Sequence, residues 1–162
     1  MAEQEGALPA PTFGSPPRIL IVAAPFYRLI ADNLIAGACA ALDRAGAMHE
    51  LIEVPGALEI PVAVRLAAGR FDGFVALGCV LRGETTHYET VCNDSSRGLM
   101  LLGIERGLCI GNGILTCETR AQAEARADPA GMDKGGGAAL AALHLVSLAR
   151  RFGETQSRDG DA

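Results

Sequence analysis

A histidine, two threonines and a glutamate stand together at Glu84-Thr85-Thr86-His87, directly after the apolar run Phe74 to Leu81 and the break Arg82-Gly83. A neutral imidazole at pH 7 can accept or donate a proton. Hydroxyls and free backbone N–H groups at a strand-to-helix junction suit a phosphate. If His87 opens a helix, the unpaired N–H groups and the helix dipole there disfavour an imidazolium. By pattern alone, His87 fits a hydrogen-bonded loop histidine as well as a proton-transfer group. The adjoining Thr85 and Thr86 turn the reading toward chemistry.

Other residues of chemical interest lie further off. Arg126 ends a short helical segment, where a cation is favourable for the helix dipole alone or available to an anion. Lys134 is odder. If Asp133 caps the last helix, Lys134 sits at its positive end, where cations are disfavoured. Gly135, Gly136 and Gly137 follow, and three glycines at a helix start indicate close approach by a ligand or another backbone. Lysine precedes the glycines and no GKS or GKT occurs, so this is not a nucleotide P-loop. Glu59 suits a helix N-terminus, and equally an acceptor for sugar-like hydroxyls. Phe26, just past the first strand, fits a staple over the first helix or a platform for a planar heterocycle. His49 reads as a surface residue and His144 as an interface residue. No HExxH, GxSxG or GxGxxG pattern is present.

The elements that must position these groups follow from hydrophobic period. Arg18 to Ala24 reads as strand, and Tyr27 to Ala45 as helix, with Ile30, Leu34, Ala38 and Leu42 on one face and Gly46 ending it. Ala47 to Val54 is a second strand, and Glu59 to Ala68 a short helix that admits Pro61 in its first turn. Gly73 to Leu81 is a strand apolar throughout, hence buried on both faces of a parallel sheet. His87 to Arg106 is a long helix, and Leu108 to Leu115 a fourth strand. Thr119 to Gln122 has capping-box spacing for a helix ending near Ala127, and Lys134 to Phe152 forms the last helix. Strand and helix alternate four times, with two helices at the end. The expectation is an α/β, three-layer, flavodoxin-like fold: a four-stranded parallel sheet with helices on both faces. Ligands in such sheets bind beyond the carboxyl ends of the strands. The last helix, apolar nearly all round, needs partners on more than one side and suggests a subunit interface. Residues 1–17, rich in Pro, Gly and Ala, read as a flexible arm, residues 18–153 as the domain, and residues 154–162 as a flexible tail.

The 162 residues are enough for one domain with a core. With aromatics at 4 % and no Trp, that core must be built from Ala, Val, Ile and Leu. The net charge of −5 argues against a nucleic-acid partner. Five cysteines, an odd count without a CxxC, read as reduced packing residues of a cytoplasmic protein rather than a disulfide framework or zinc site. The N-terminus carries Glu3 and Glu5 and lacks the regions of a signal peptide. No apolar stretch is long enough to span a membrane.

In order and spacing the motifs Pro25-Phe26, VPGALEIP (Val54 to Pro61), LGCVLRGETTHYETVCN (Leu77 to Asn93), GILT (Gly113 to Thr116), QAEARA (Gln122 to Ala127) and DKGGGAA (Asp133 to Ala139) resemble the lumazine synthase family of riboflavin biosynthesis. The resemblance covers Arg18 to Phe152. It implies that Phe26 stacks on a pyrimidine ring and that Ala57 and Glu59 hold a ribityl chain. Val80 and Leu81 would offer backbone groups to the pyrimidine. Gly83, Glu84 and Thr85 would cradle a phosphate, and His87 would be the proton shuttle. Arg126 and Lys134 would reach the same site from the neighbouring subunit, as would Asn112, which lies over the bound ring. The family often has Phe at that position, Arg-Phe-Asn where this chain has Pro25-Phe26-Tyr27, and Phe at Leu58.

The implied reaction condenses 5-amino-6-ribitylamino-uracil with 3,4-dihydroxy-2-butanone 4-phosphate. The reacting amine is already on a substrate, so no metal, redox cofactor or nucleophilic side chain is called for. The implied partner is the chain itself, as a homopentamer or an assembly of pentamers. A non-catalytic riboflavin- or lumazine-binding protein on the same scaffold would use Phe26 and Glu59 equally well. It would have no use for a phosphate site.

Overall fold

The computed structural model describes residues 6–159, with side chains as far as residue 153; the outer ends of the expected arm and tail, residues 1–5 and 160–162, lie outside the described residues. Among the described residues nine elements follow one another: β1 (Arg18–Ala23), α1 (Arg28–Arg44), β2 (Met48–Glu53), α2 (Glu59–Leu66), β3 (Gly73–Leu81), α3 (His87–Arg106), β4 (Ile110–Cys117), α4 (Arg120–Ala127) and α5 (Lys134–Asp159). All strand pairs are parallel, in the order β2-β1-β3-β4.

Alternation along the central strands divides the core in two. Ile19, Ile21 and Ala23 of β1, with Val75, Leu77 and Cys79 of β3, pack against α1, α4 and α5. Leu20, Val22, Phe74 and Ala76 point the other way, against Ile60 and Val64 of α2 and Val91 and Leu99 of α3. The sheet is thus covered on both faces, as expected. β2 is an edge strand, and Leu51 and Ile52 remain exposed. His49, on β2, is half-buried and its Nε2 lies 2.9 Å from Asp43 Oδ1.

Boundaries differ from the sequence expectation most at α5, which runs on to Asp159 through most of the expected tail rather than ending at Phe152, and next at β4, which starts and ends two residues later. Gly107 closes α3 in the left-handed region (φ 65°), and its N–H donates to the Gly103 carbonyl at 3.0 Å. The Leu108 N–H also turns back, to the Leu102 carbonyl at 3.4 Å. Leu108 therefore belongs to the end of the helix. At the other end, β4 continues because β3 still offers partners, down to Leu81 opposite Cys117.

The glycine run at α5 serves helix packing at one position and open space at another. A Cβ on Gly135 would lie 2.0 Å from the Leu34 carbonyl oxygen of α1, whereas one on Gly137 would meet nothing within 4 Å. Asp133 caps the helix, its Oδ1 accepting from the Gly136 N–H at 3.0 Å. The close approach is repeated at the sheet, where a Cβ on Gly111 of β4 would sit 1.8 Å from the Ala138 carbonyl oxygen. Gly111→Ala should therefore destabilise the protein by about 2–3 kcal/mol, the upper part of the usual overpacking range. Urea unfolding checks it, and an unmoved midpoint would mean that α5 does not press on β4.

α5 finds most of its partners inside the subunit: Ala138, Ala139, Ala142, Leu143 and Val146 are all buried. The larger unpartnered apolar face is elsewhere, at Val62 and Leu66 of α2 and at Met100, Leu101 and Ile104 of α3, with Leu66 79 % and Ile104 73 % exposed. No helix among the described residues is long and apolar enough to cross a membrane.

Candidate active site

The carboxyl ends of β1, β2 and β3 open into a cavity of about 370 Å³. Three segments wall it: Phe26-Tyr27 after β1, Pro55 to Glu59 after β2, and Cys79 to Leu81 at the end of β3. His87 and Val91 of α3 complete the lining. The sequence thus delivers Phe26, Ala57, Glu59, Val80, Leu81 and His87 to one place from four separate stretches of chain.

Each is positioned by a local cause. Phe26 stands 74 % exposed at the rim, its ring edge-on to Tyr27 at 5.1 Å, so one aromatic face is free to stack. Ala57 is buried beneath the loop, and Glu59 begins α2 with its N–H donating to the Gly56 carbonyl at 3.2 Å. The Glu59 carboxylate folds back over Gly56, where a Cβ would come within 3.0 Å of Oε2. His87 is the first residue of α3, and its backbone N–H donates to Thr85 Oγ1 at 3.3 Å. Thr86, at the N-cap, makes no side-chain capping bond. The start of α3, its first N–H held by Thr85 and the Glu89 N–H by its own carboxylate, lies beside the exposed loop Gly83-Glu84-Thr85. That loop borders the cavity without lining it.

Asn112, Arg126 and Lys134 gather in a different place. They line a second cavity, of about 420 Å³, together with Gly113 to Thr116 of β4 and Gly137 and Ala138 of α5. Arg126 donates from Nη1 to the Gln122 carbonyl at 3.0 Å. Asn112 Oδ1 accepts the Ile114 N–H at 2.9 Å on the sheet's free edge, which leaves the Asn112 amide NH₂ to donate elsewhere. Within one chain, then, His87 and Arg126 do not share a cavity. The first hollow is mainly apolar with one histidine and one carboxylate, and the second carries two cations and an amide.

Thr119 caps α4 as its spacing predicts, accepting from the Gln122 N–H at 3.3 Å. The Gln122 side chain accepts from the Glu118 N–H at 2.9 Å, one residue earlier than a reciprocal box would have it.

Several lining residues were not singled out as binding groups from the sequence, namely Tyr27, Leu58, Val91 and Cys79. Cys79 was readable only as a packing residue, and its chemistry agrees. Burial first, and then the neighbouring Cys117, push its thiol up to about 12. At neutral pH it remains protonated and is no nucleophile. Burial likewise raises Cys92, Cys109 and Cys117, and all five cysteines are free. Among the described residues no cluster of His, Cys, Asp and Glu is arranged to hold a metal ion.

A third hollow lies between the arm and α5, lined by Thr12 to Ser15 and Arg150. Arg150 is committed there. It donates to the Ser15 carbonyl at 2.7 Å, pairs with Asp72 at 3.7 Å and lies 5.3 Å over the Phe13 ring.

Residues 16–150 match the family model for 6,7-dimethyl-8-ribityllumazine synthase. The chain is 54 % identical over 145 residues to the 6,7-dimethyl-8-ribityllumazine synthase of Jannaschia sp. (strain CCS1), covering 88 % of this chain and 81 % of the relative. It is 56 % identical over 137 residues to that of Sphingopyxis alaskensis, covering 83 % and 96 %. With the enzyme of the same name from Erythrobacter litoralis the identity is 55 % over 138 residues, covering 84 % and 98 %.

Proposed function

Because this chain belongs to the 6,7-dimethyl-8-ribityllumazine synthase family, transferases of riboflavin biosynthesis, we propose that its two cavities are the two halves of one active site, joined across a subunit boundary. The observation that carries this is the division of labour within the chain. The stacking ring, the carboxylate and the imidazole line one hollow, and the two cations line another.

The pyrimidine substrate stacks on Phe26, with its ring edge against the backbone of Val80 and Leu81. Its ribityl hydroxyls donate to Glu59 and reach the backbone at Ala57. The four-carbon phosphate lies against Gly83, Glu84 and Thr85 at the start of α3, where backbone N–H groups and a hydroxyl suit an anion. From the neighbouring subunit, Arg126 pairs with the phosphate, Lys134 contacts the ribityl-pyrimidine, and Asn112 covers the ring.

The chemistry is a condensation whose atoms come entirely from the substrates. The amine at C5 of the pyrimidine adds to the ketone, and loss of water gives an imine. Proton removal from the carbon chain then expels inorganic phosphate as the C–O bond breaks. The enol left at C3 tautomerises to a new ketone, its terminal carbon taking a proton to become a methyl group; the ribityl-bearing nitrogen closes the ring on that ketone, and a second water leaves. Holding both substrates in contact replaces a bimolecular encounter. His87 moves the protons, and Arg126 receives the charge that gathers on the departing phosphate.

Assembly follows from the same division. A ring of subunits, a pentamer on the family's pattern, would set the Arg126 cavity of one copy against the His87 cavity of the next. The exposed apolar faces of α2 and α3 would be buried in the same step. Mixing the two substrates with the protein and following lumazine fluorescence tests the activity. Fluorescence should rise with stoichiometric phosphate release. A protein that binds lumazine but leaves the two substrates unreacted would overturn the proposal.

A further inference from the structure

Arg82 is the entry residue of the phosphate loop, and its surroundings are unusual for a cation beside an anion site. Its backbone N–H continues the sheet, donating to the Cys117 carbonyl at 3.0 Å. Its side chain is held on three sides. Nε donates to Glu118 Oε2 at 2.8 Å, Nη1 donates to Glu89 Oε1, and the guanidinium lies 4.3 Å over the Tyr88 ring. Glu89 belongs to the first turn of α3, and Glu118 follows β4 directly. The pairing holds the Glu89 carboxyl below its usual range, chiefly through the hydrogen bond from Arg82. Glu89 thus stands in the first turn of the helix whose start would receive a phosphate, and Glu118 is drawn to the same guanidinium. Glu89 already lies in the favourable field of that helix start, bonded to its own backbone N–H, and Arg82 matches a charge that would otherwise oppose an anion there.

We propose that Arg82 is a positioning residue that neutralises Glu89 and Glu118 and braces the Gly83–Thr85 loop, so that the loop admits a phosphate that Arg82 itself does not touch. This rests on the reading of that loop as the phosphate cradle. The fork geometry supports it. Two of its five N–H donors, on Nε and Nη1, are held by carboxylates and one face lies over a ring, so the charge is matched within the chain before any phosphate arrives. Arg82 also ties the loop to both flanking elements, since Glu89 sits on α3 and Glu118 precedes the α4 that carries Arg126.

The test uses inorganic phosphate as a competitive inhibitor against the four-carbon phosphate, together with KM for each substrate. In Arg82→Gln the inhibition constant and the KM of the phosphate substrate should both rise about tenfold, the scale of one screened charge contact near a surface. The KM of the pyrimidine should hold. Arg82→Lys, which keeps the charge but not the fork, should lose less. Removing the masked charges in Arg82→Gln/Glu89→Gln/Glu118→Gln should restore phosphate inhibition to within about twofold of the starting protein, as expected of coupled neighbours. Glu89→Gln alone, with Arg82 intact, should bind phosphate more tightly, which keeps the idea testable if Arg82→Gln folds poorly. A defect that persists in the triple variant would make Arg82 a direct phosphate ligand and overturn the proposal, as would an Arg82→Gln protein with unaltered phosphate inhibition. If phosphate fails to compete in the unaltered protein, the phosphate cradle itself is wrong.

Discussion

His87→Ala lowers the single-turnover rate of lumazine formation by about ten- to a thousand-fold, the range of one acid–base group or just below it. The loss should fall on the chemical step, because the cavity retains Phe26, Glu59 and the strand ends to which the proposal assigns the pyrimidine. The proposal gives no other side chain of the cavity the proton-transfer role. Glu59 lies folded over Gly56 at the ribityl end, and the Cys79 thiol, pushed up to about 12 by burial, keeps its proton. A residual rate should remain, since juxtaposing an amine and a ketone accelerates their condensation without a proton shuttle. Rapid mixing of enzyme in excess over both substrates reads the step directly. An unchanged single-turnover rate would remove His87 from the mechanism.

Arg126→Ala should lower kcat/KM for the four-carbon phosphate by about a hundredfold, as loss of a charge-assisted guanidinium–phosphate pair implies. The KM of the pyrimidine should move little. The side chain is prepared for the task, because its bond from Nη1 to the Gln122 carbonyl fixes the guanidinium against α4 at the mouth of the second cavity. Arg126→Lys should recover only part of the loss, since an ammonium supplies the charge without the planar fork. Steady-state kinetics with each substrate varied in turn checks it. If the apparent affinity for the phosphate substrate held steady, the phosphate assignment of Arg126 would be wrong.

How far the sequence reached depends on which force sets each feature. β3 and α3 are found between the residues expected, because both ends are marked in the chain. An apolar run gives way to Arg82-Gly83, and Gly107 stops the helix. β4 was misplaced by two residues because its bounds are set by the register with β3 and by the closing turn of α3, and neither is local to its own residues. The exposure of β2 was invisible for a similar reason. An apolar pattern such as Leu51-Ile52 reads alike in a central strand and an edge strand. The glycines before α5 announced a close approach, but only coordinates reveal that Gly135 meets the Leu34 carbonyl while Gly137 faces open space.

The candidate site divides along the same line. Residues just past strand ends were readable, since a parallel sheet sends them to a common edge. That is why Phe26, Glu59 and His87 line one hollow. Arg126 and Lys134 offered only charge at helix ends. Their grouping with Asn112 depends on how α4 and α5 fold beside β4. The apolar last helix divides its faces in a way its composition does not reveal. One side of it is buried within the subunit by α1 and the sheet, Leu145, Leu148 and Phe152 stay exposed on the other, and a further unpartnered face belongs to α2 and α3.

The claim on which the mechanism turns is that one site is shared by two chains, and subunit mixing tests it most directly. His87→Ala and Arg126→Ala proteins, each slower than the starting protein at low concentrations of the phosphate substrate, are unfolded together and refolded as mixed assemblies. Random mixing in equal amounts should regain activity at roughly a quarter of the boundaries, those where an intact His87 half meets an intact Arg126 half. Mixed assemblies no more active than the separately refolded variants would contradict a shared site and place both residues' work within a single chain.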